Sequence, residues 1–140
     1  MKKFILTALV LSLLFTIPLT VANAESNDIT PYASELLSSY SIPIGVSADG
    51  VISATAKIAT NYIVDELGFP VIRIEEKDGS EWVTMKSTTG RYREDSNKYT
   101  YKLTYQGKEG KQYRAYAEYR AKDGTLTDSR SKYSSTVTGK

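Results

Sequence analysis

The stretch Gln112–Lys122, QYRAYAEYRAK, decides the fold. Tyr113, Ala115, Ala117, Tyr119 and Ala121 fall on one side of an extended chain. Arg114, Tyr116, Glu118, Arg120 and Lys122 fall on the other. A period of two is that of a β-strand, whose successive side chains point to opposite faces. A small and aromatic face opposite a charged one is the pattern of an antiparallel sheet with one side on a core and the other in water.

The same alternation recurs outward from this stretch. Residues 51–59 send Ile52, Ala54, Ala56 and Ile58 one way and Ser53, Thr55 and Lys57 the other. Residues 70–77 place Ile72 and Ile74 inward, with Arg73 and Glu75 outward, and Asp78-Gly79-Ser80 turns the chain into a return strand over 81–87 that carries Trp82, the only tryptophan. Residues 99–106 align Tyr99, Tyr101, Leu103 and Tyr105. A weak strand over 39–47 contains Pro43 and reads as an edge, and a last strand covers 130–138. Residues 60–68 read as a crossover and the polar run 88–98 (TTGRYREDSNK) as the longest loop. Seven strands separated by turn signals predict an all-β antiparallel Greek-key sandwich. The expected core is Ile52, Ala54, Ile58, Ile72, Ile74, Trp82, Leu103, Tyr113, Ala115, Ala117 and Tyr119.

The chain opens MKKFILTALVLSLLFTIPLTVANA. Lys2 and Lys3, an apolar run to Leu19 and the small residues Ala22 and Ala24 form the three parts of a secretory signal peptide. An uncleaved anchor is the alternative, and the run is short for one. The expected organisation is a signal peptide over 1–24, an N-terminal arm over 25–38 and the β-sandwich over 39–140, in a secreted, extracellular protein.

Removing 1–24 leaves 16 basic and 16 acidic residues, so no overall field draws the chain to nucleic acid or anionic membrane. The charge is divided, however: residues 25–81 carry a net −7 and residues 82–140 a net +7. Such a molecule either stacks head to tail or neutralises itself by interleaving early and late strands, and the sandwich favours the second. The chain has no Cys and no His, so disulfides, thiolate or imidazole metal ligands and a histidine base are all excluded. No cofactor and no metal is expected.

The segment YQGKEGKQYRAYAEYRAKDGTLTDSRSKYSSTV, residues 105–137, resembles immunoglobulin and fibronectin type III sandwiches. Tyr113 follows a glycine turn at the place of their tyrosine corner, and the resemblance implies that its hydroxyl bonds to backbone upstream. Tyr119 to Gly124, followed by Ser129 and Ser131, resembles the hairpin into their last strand. The whole mature chain is also similar to short secreted proteins of Gram-positive bacteria that have no assigned function. The residues carrying this likeness are Ile29-Thr30-Pro31, Leu67-Gly68-Phe69 before Ile72-x-Ile74-x-Glu76, Trp82-Val83, Tyr105-Gln106-Gly107, Gly110-Lys111-x-Tyr113 and Asp128-Ser129-Arg130. It implies secretion and a β-fold and assigns no reaction.

Three groups invite a chemical reading and do not sustain one. Glu75 and Glu76 point to opposite faces of a strand, so they are no acid–base pair, and with Asp78 and Glu81 they read as a solvated hairpin tip. Ser129-x-x-Lys132 has an acyl-transferase spacing, but that motif needs a helix. Asp123-Gly124 with Asp128 reads as a hairpin turn. No catalytic residue is assigned. Among the eleven tyrosines, those on inward positions fill a core poor in Phe and Trp. Tyr92, in the long loop between Arg91 and Arg93, and Tyr116, on the outward face with Arg114 and Arg120, are the binding candidates. A planar cation beside an aromatic ring suits carbohydrate and protein surfaces alike. The expectation is a non-enzymatic extracellular binding or structural module. Its partner would be cell-wall polymer, a glycan, another extracellular protein or a second copy of itself. Nucleic acid and stable membrane insertion after signal cleavage are not expected. A secreted antimicrobial or toxin-like effector is the alternative.

Overall fold

A computed structural model describes residues 36–140; the expected signal peptide and most of the expected arm lie outside the described residues. The elements are β1 (Leu37–Ser41), β2 (Ile44–Val46), β3 (Val51–Asp78), β4 (Glu81–Gln106), β5 (Gln112–Asp123), β6 (Leu126–Tyr133) and β7 (Val137–Thr138). All strand pairs are antiparallel, and together they make one seven-stranded sheet curled into a half-barrel.

The count of seven agrees with the sequence, but the cuts differ. The expected strands over 51–59 and 70–77 are one strand of 28 residues, β3. Those over 81–87 and 99–106 are one strand of 26 residues, β4. The stretch 88–98 is therefore strand, not loop. β3 and β4 pair along their whole length. The other edge of β3 is shared, with β1 and β2 on its first half and β5 on its second. The weak first strand is split at Pro43, which has no N–H for the ladder and divides β1 from β2.

Two irregularities in β3 shape the curl. Pairing with β4 stops at Ala59↔Lys98 and resumes at Val64↔Ser96, so residues 60–63 of β3 face the single residue Asn97. The Thr60 hydroxyl ties this bulge down through the carbonyls of Tyr62 (2.6 Å) and Asn97 (3.3 Å). Further on, pairing with β5 breaks between Gly68↔Arg120 and Ile72↔Ala117, leaving one extra residue on β3 around Pro70. Bulges of this kind bend a strand and increase its twist, and proline, which cannot donate, fits one.

The core lies on the inner face. Ile52, Ala54, Ile58, Ile72, Ile74, Leu103, Tyr113, Ala115, Ala117 and Tyr119 are buried as expected, joined by Leu36, Leu37, Ile42, Val64, Leu67 and Phe69. Rings knit the two halves of the curl together. Tyr40 of β1 lies 5.1 Å from Tyr119 of β5, and Phe69 lies 5.3 Å from Tyr99 and 5.8 Å from Tyr119. Asp128 of β6, read from sequence as part of a turn, is instead buried in the strand. It accepts the backbone N–H groups of Leu36 (3.4 Å) and Leu37 (3.2 Å), which ties β6 to the start of β1. The Tyr113 hydroxyl accepts the Lys108 backbone N–H at 2.8 Å, an upstream bond of the kind the resemblance implied, and donates to Glu76 Oε2 at 2.7 Å.

Candidate functional site

The most structured surface lies on the outer face of the second half of the sheet. Strand alternation sends Arg73, Glu75 and Lys77 of β3 to that side, and register brings their neighbours beside them. Lys77 pairs with Trp82, Glu75 with Arg114, Arg73 with Tyr116, and Tyr116 with Tyr133. Directly paired residues share a face. Trp82, expected in the core, is thus on the outer face and half-buried. The two-residue turn at Gly79-Ser80 fixes this, because it sets Asp78 opposite Glu81 and so Trp82 opposite the outward Lys77.

Glu75 organises the face. Its side chain is only 5% exposed, and each carboxylate oxygen accepts from one arginine, Oε1 from Arg73 Nε and Oε2 from Arg114 Nε, both at 2.6 Å. The held guanidiniums then stack on rings. Arg73 lies 4.1 Å above Tyr116 and also donates to the Tyr133 hydroxyl at 3.3 Å. Arg114 lies 4.3 Å from the Trp82 ring and 4.1 Å from the Tyr133 ring. Tyr116 and Tyr133 are 4.8 Å apart. Burial works against the Arg73 charge, but the Glu75 hydrogen bond and charge outweigh it and raise its pKa. A cation between aromatic faces contributes about 0.5–1 kcal/mol at an accessible site, and here the geometry is fixed by a buried carboxylate. The expected solvated tip is therefore corrected for two of its members. Glu75 and Glu76 are buried on opposite faces, and only Asp78 and Glu81 remain exposed.

The sequence candidates divide between two faces. Arg114 and Tyr116 belong to the cluster around Glu75. Arg120 sits further along the same face, bonded to Glu66 at 2.6 Å and 4.8 Å above the Tyr92 ring. Gly68 pairs with both Arg120 and Tyr92, and a Cβ there would lie 2.1 Å from the Arg91 carbonyl and 2.7 Å from Tyr92 Cα. Glycine is what lets the strands close at this point. Arg91 and Arg93 pair with the buried Phe69 and Leu67, so they point to the inner side at the sheet's margin, each 5.1 Å above a ring, Tyr101 and Tyr99 respectively. The trio Arg91-Tyr92-Arg93 does not form one patch, because it is strand and alternates. Arg73, Glu75, Trp82 and Tyr133 are the members that the candidate list lacks. Ser129 and Lys132 take opposite faces of β6, Ser129 beside Arg120 and Lys132 5.7 Å above the Tyr40 ring.

No known protein family, curated protein or solved structure matches this chain.

A cavity of about 550 Å³ adjoins the cluster, lined by Pro70, Tyr116, Glu118, Tyr119, Ser129, Arg130 and Ser131. It lies where the β3 bulge interrupts pairing with β5: no β3–β5 ladder pair forms between residues 69–71 and Glu118 and Tyr119. The Tyr116 hydroxyl donates to Glu118 Oε1 at 3.0 Å. Burial first, and the hydrogen bond to Glu118 with it, raise the Tyr116 pKa; hydrogen bonding with Ser131 opposes them. Among the described residues, no group of three or more Asp or Glu side chains is placed to hold a metal ion.

Proposed function

We propose that the protein is a non-enzymatic extracellular binding module whose contact surface is the outer face built on Glu75. One observation carries this reading: Trp82, Arg114, Tyr133, Tyr116 and Arg73 interleave as stacked rings and guanidiniums, with both cations locked by the same buried carboxylate. Aromatic and arginine side chains supply large contact area at low entropic cost, and this face has met that cost in folding. Tyr133 is 45% exposed, so the surface is presented rather than covered. The upstream bond of Tyr113 supports kinship with immunoglobulin and fibronectin type III sandwiches, the N-terminal sequence pattern supports secretion, and the likeness to short secreted proteins supports a Gram-positive source.

The arrangement also predicts how binding responds to salt. Arg73, Arg114 and Arg120 are each paired within the molecule, so the face offers stacking and hydrogen bonds rather than free charge. Purified protein incubated with intact Gram-positive cells and with isolated peptidoglycan should pellet with them, and pelleting should survive ~0.5 M salt, where screening acts within a few Å. The double variant Trp82→Ala/Tyr133→Ala should stay in the supernatant while keeping its melting curve cooperative. Wild-type protein remaining in the supernatant would overturn the wall-binding reading, and pelleting by the double variant would overturn the assignment of the face.

A further inference from the structure

We infer that the cavity between the Pro70 bulge and β5–β6 is a subsite for a neutral saccharide. The inference rests on the binding-module reading and names the ligand class of the open pocket beside that face. The cavity is a product of the fold rather than a surface accident. The extra β3 residue removes the ladder opposite Glu118 and Tyr119, and the strand bends away with a proline at the opening. Its volume, about 550 Å³, falls in the range of small-molecule sites.

The lining chemistry selects the ligand. Glu118 accepts one hydrogen bond, from Tyr116, and its carboxyl oxygens have room for more. Ser129 and Ser131, two apart on β6, put hydroxyls on the same face as Glu118 and Tyr116, and each is a donor and an acceptor. A carboxylate beside hydroxyls and the edge of an aromatic ring is a set that matches adjacent hydroxyl groups on a sugar ring, whose C–H faces are apolar. The charges disfavour the other classes. The one unshared carboxylate, Glu118, repels an anion. The nearby cations are committed, Arg130 to Asp128 at 3.2 Å and Arg73 to Glu75. A cation would find a single carboxylate and no second anionic ligand among the lining residues.

The test is an amide chemical-shift titration of the purified protein with maltotriose, cellotriose and triacetylchitotriose, each to ~10 mM, a range suited to millimolar sites. At least one sugar should produce saturable shifts at Val71, Glu118, Ser129 and Ser131. Glu118→Ala should weaken that sugar about tenfold, the effect of losing a charged hydrogen bond. Ser131→Ala, on an exposed hydroxyl, should weaken it less, and Ile63→Ala, at an exposed side chain outside both the face and the pocket, should leave it unchanged. An unaltered urea melt for Glu118→Ala keeps the comparison clean. Shifts confined to Trp82, Arg114 and Tyr133 would overturn the cavity assignment while supporting the parent reading. No shift with any of the three sugars would overturn the saccharide assignment; the pelleting experiment then decides the parent reading on its own.

Discussion

Tyr113 and Tyr119 stand six residues apart on the same face of β5, and both are fully buried, yet removing one oxygen from each should move stability in opposite directions. The Tyr113 hydroxyl accepts from the Lys108 N–H and donates to the Glu76 carboxylate. Glu76 is 6% exposed, and its other contact is Lys108 Nζ at 3.8 Å. Tyr113→Phe therefore strands a nearly buried carboxylate as well as a backbone donor. A neutral bond would account for about 1 kcal/mol, but hydrogen bonds to charged groups contribute ~1.5–3 kcal/mol, so the loss should be about 2 kcal/mol. The Tyr119 hydroxyl is buried without a hydrogen-bond partner among the described residues. In the unfolded chain water satisfies it, so folding costs its desolvation, and Tyr119→Phe removes that cost. The variant should gain about 1 kcal/mol. The assay is equilibrium urea unfolding at pH 7, followed by far-UV circular dichroism. The two midpoints should separate on either side of wild type, by about 3 kcal/mol in total at an unchanged m-value. A Tyr119→Phe variant less stable than wild type would refute the reasoning, since it would show that the hydroxyl is satisfied in the folded protein.

Three further outcomes follow from the same geometry. Burial raises the pKa of Tyr113, Tyr116 and Tyr119 above the ordinary value of 10.0. Above that pH the unfolded chain releases phenol protons that the folded protein keeps, so stability should be full below pH 10 and fall as pH rises beyond it; urea midpoints flat from pH 8 to pH ~11 would contradict this. Glu75→Ala leaves Arg73 and Arg114 facing each other and should cost about 2–3 kcal/mol, below the ~3–5 kcal/mol of a fully buried pair because both arginines are partly wet. Adding Arg114→Ala should cost less than the sum of the single changes, and strict additivity in the double-mutant cycle would show that the pair is not coupled. Trp82→Ala should cost only about 1–2 kcal/mol rather than the ~3–5 kcal/mol of a core tryptophan; a loss in the larger range in thermal melts would return Trp82 to the interior.

The inner face was legible because alternation is a property of single strands. Ile52 to Ile58, Ile72 with Ile74, and Tyr113 to Ala121 each show it without reference to a partner. The length of β3 and β4 was not legible for the same reason. No residue over 81–98 is buried, so that part of β4 carries no apolar period, and what makes it a strand is backbone pairing to β3. The burial of Glu75 depends on Arg114, 39 residues away, a partner that appears only once the register is known. Trp82 is the case in which the signal was present and outweighed. The Gly79-Ser80 turn fixes its side, whereas tryptophan's preference for interiors argues for the other. The glycine turn before Tyr113 points to a backbone bond for its hydroxyl, but nothing in the sequence marks Glu76 as the second partner, which register alone brings there.

The division of charge along the chain finds its use in this arrangement. Glu66, Glu75 and Glu76 come from the acidic half; Arg120, Arg114 and Lys108, which meet them, come from the basic half. Folding joins the halves across the β3–β5 seam and below the β4–β5 turn, so three charges of the −7 and +7 contrast meet inside one molecule rather than attracting another. Head-to-tail stacking by charge loses its driving force to that extent. One route to self-association is the long free edge of β4, which among the described residues pairs with β3 alone. That edge is guarded. It carries Lys86, Arg91, Arg93, Lys98 and Lys102, and it is broken by the irregular register near Met85 and by left-handed residues at Gly90 and Asp95. Charges and bulges of this kind deter a second strand. With that edge guarded and Glu66, Glu75 and Glu76 paired across the halves, the recognition surface proposed above is the stacked face and the pocket beside it, where selection would rest on shape and hydrogen bonding.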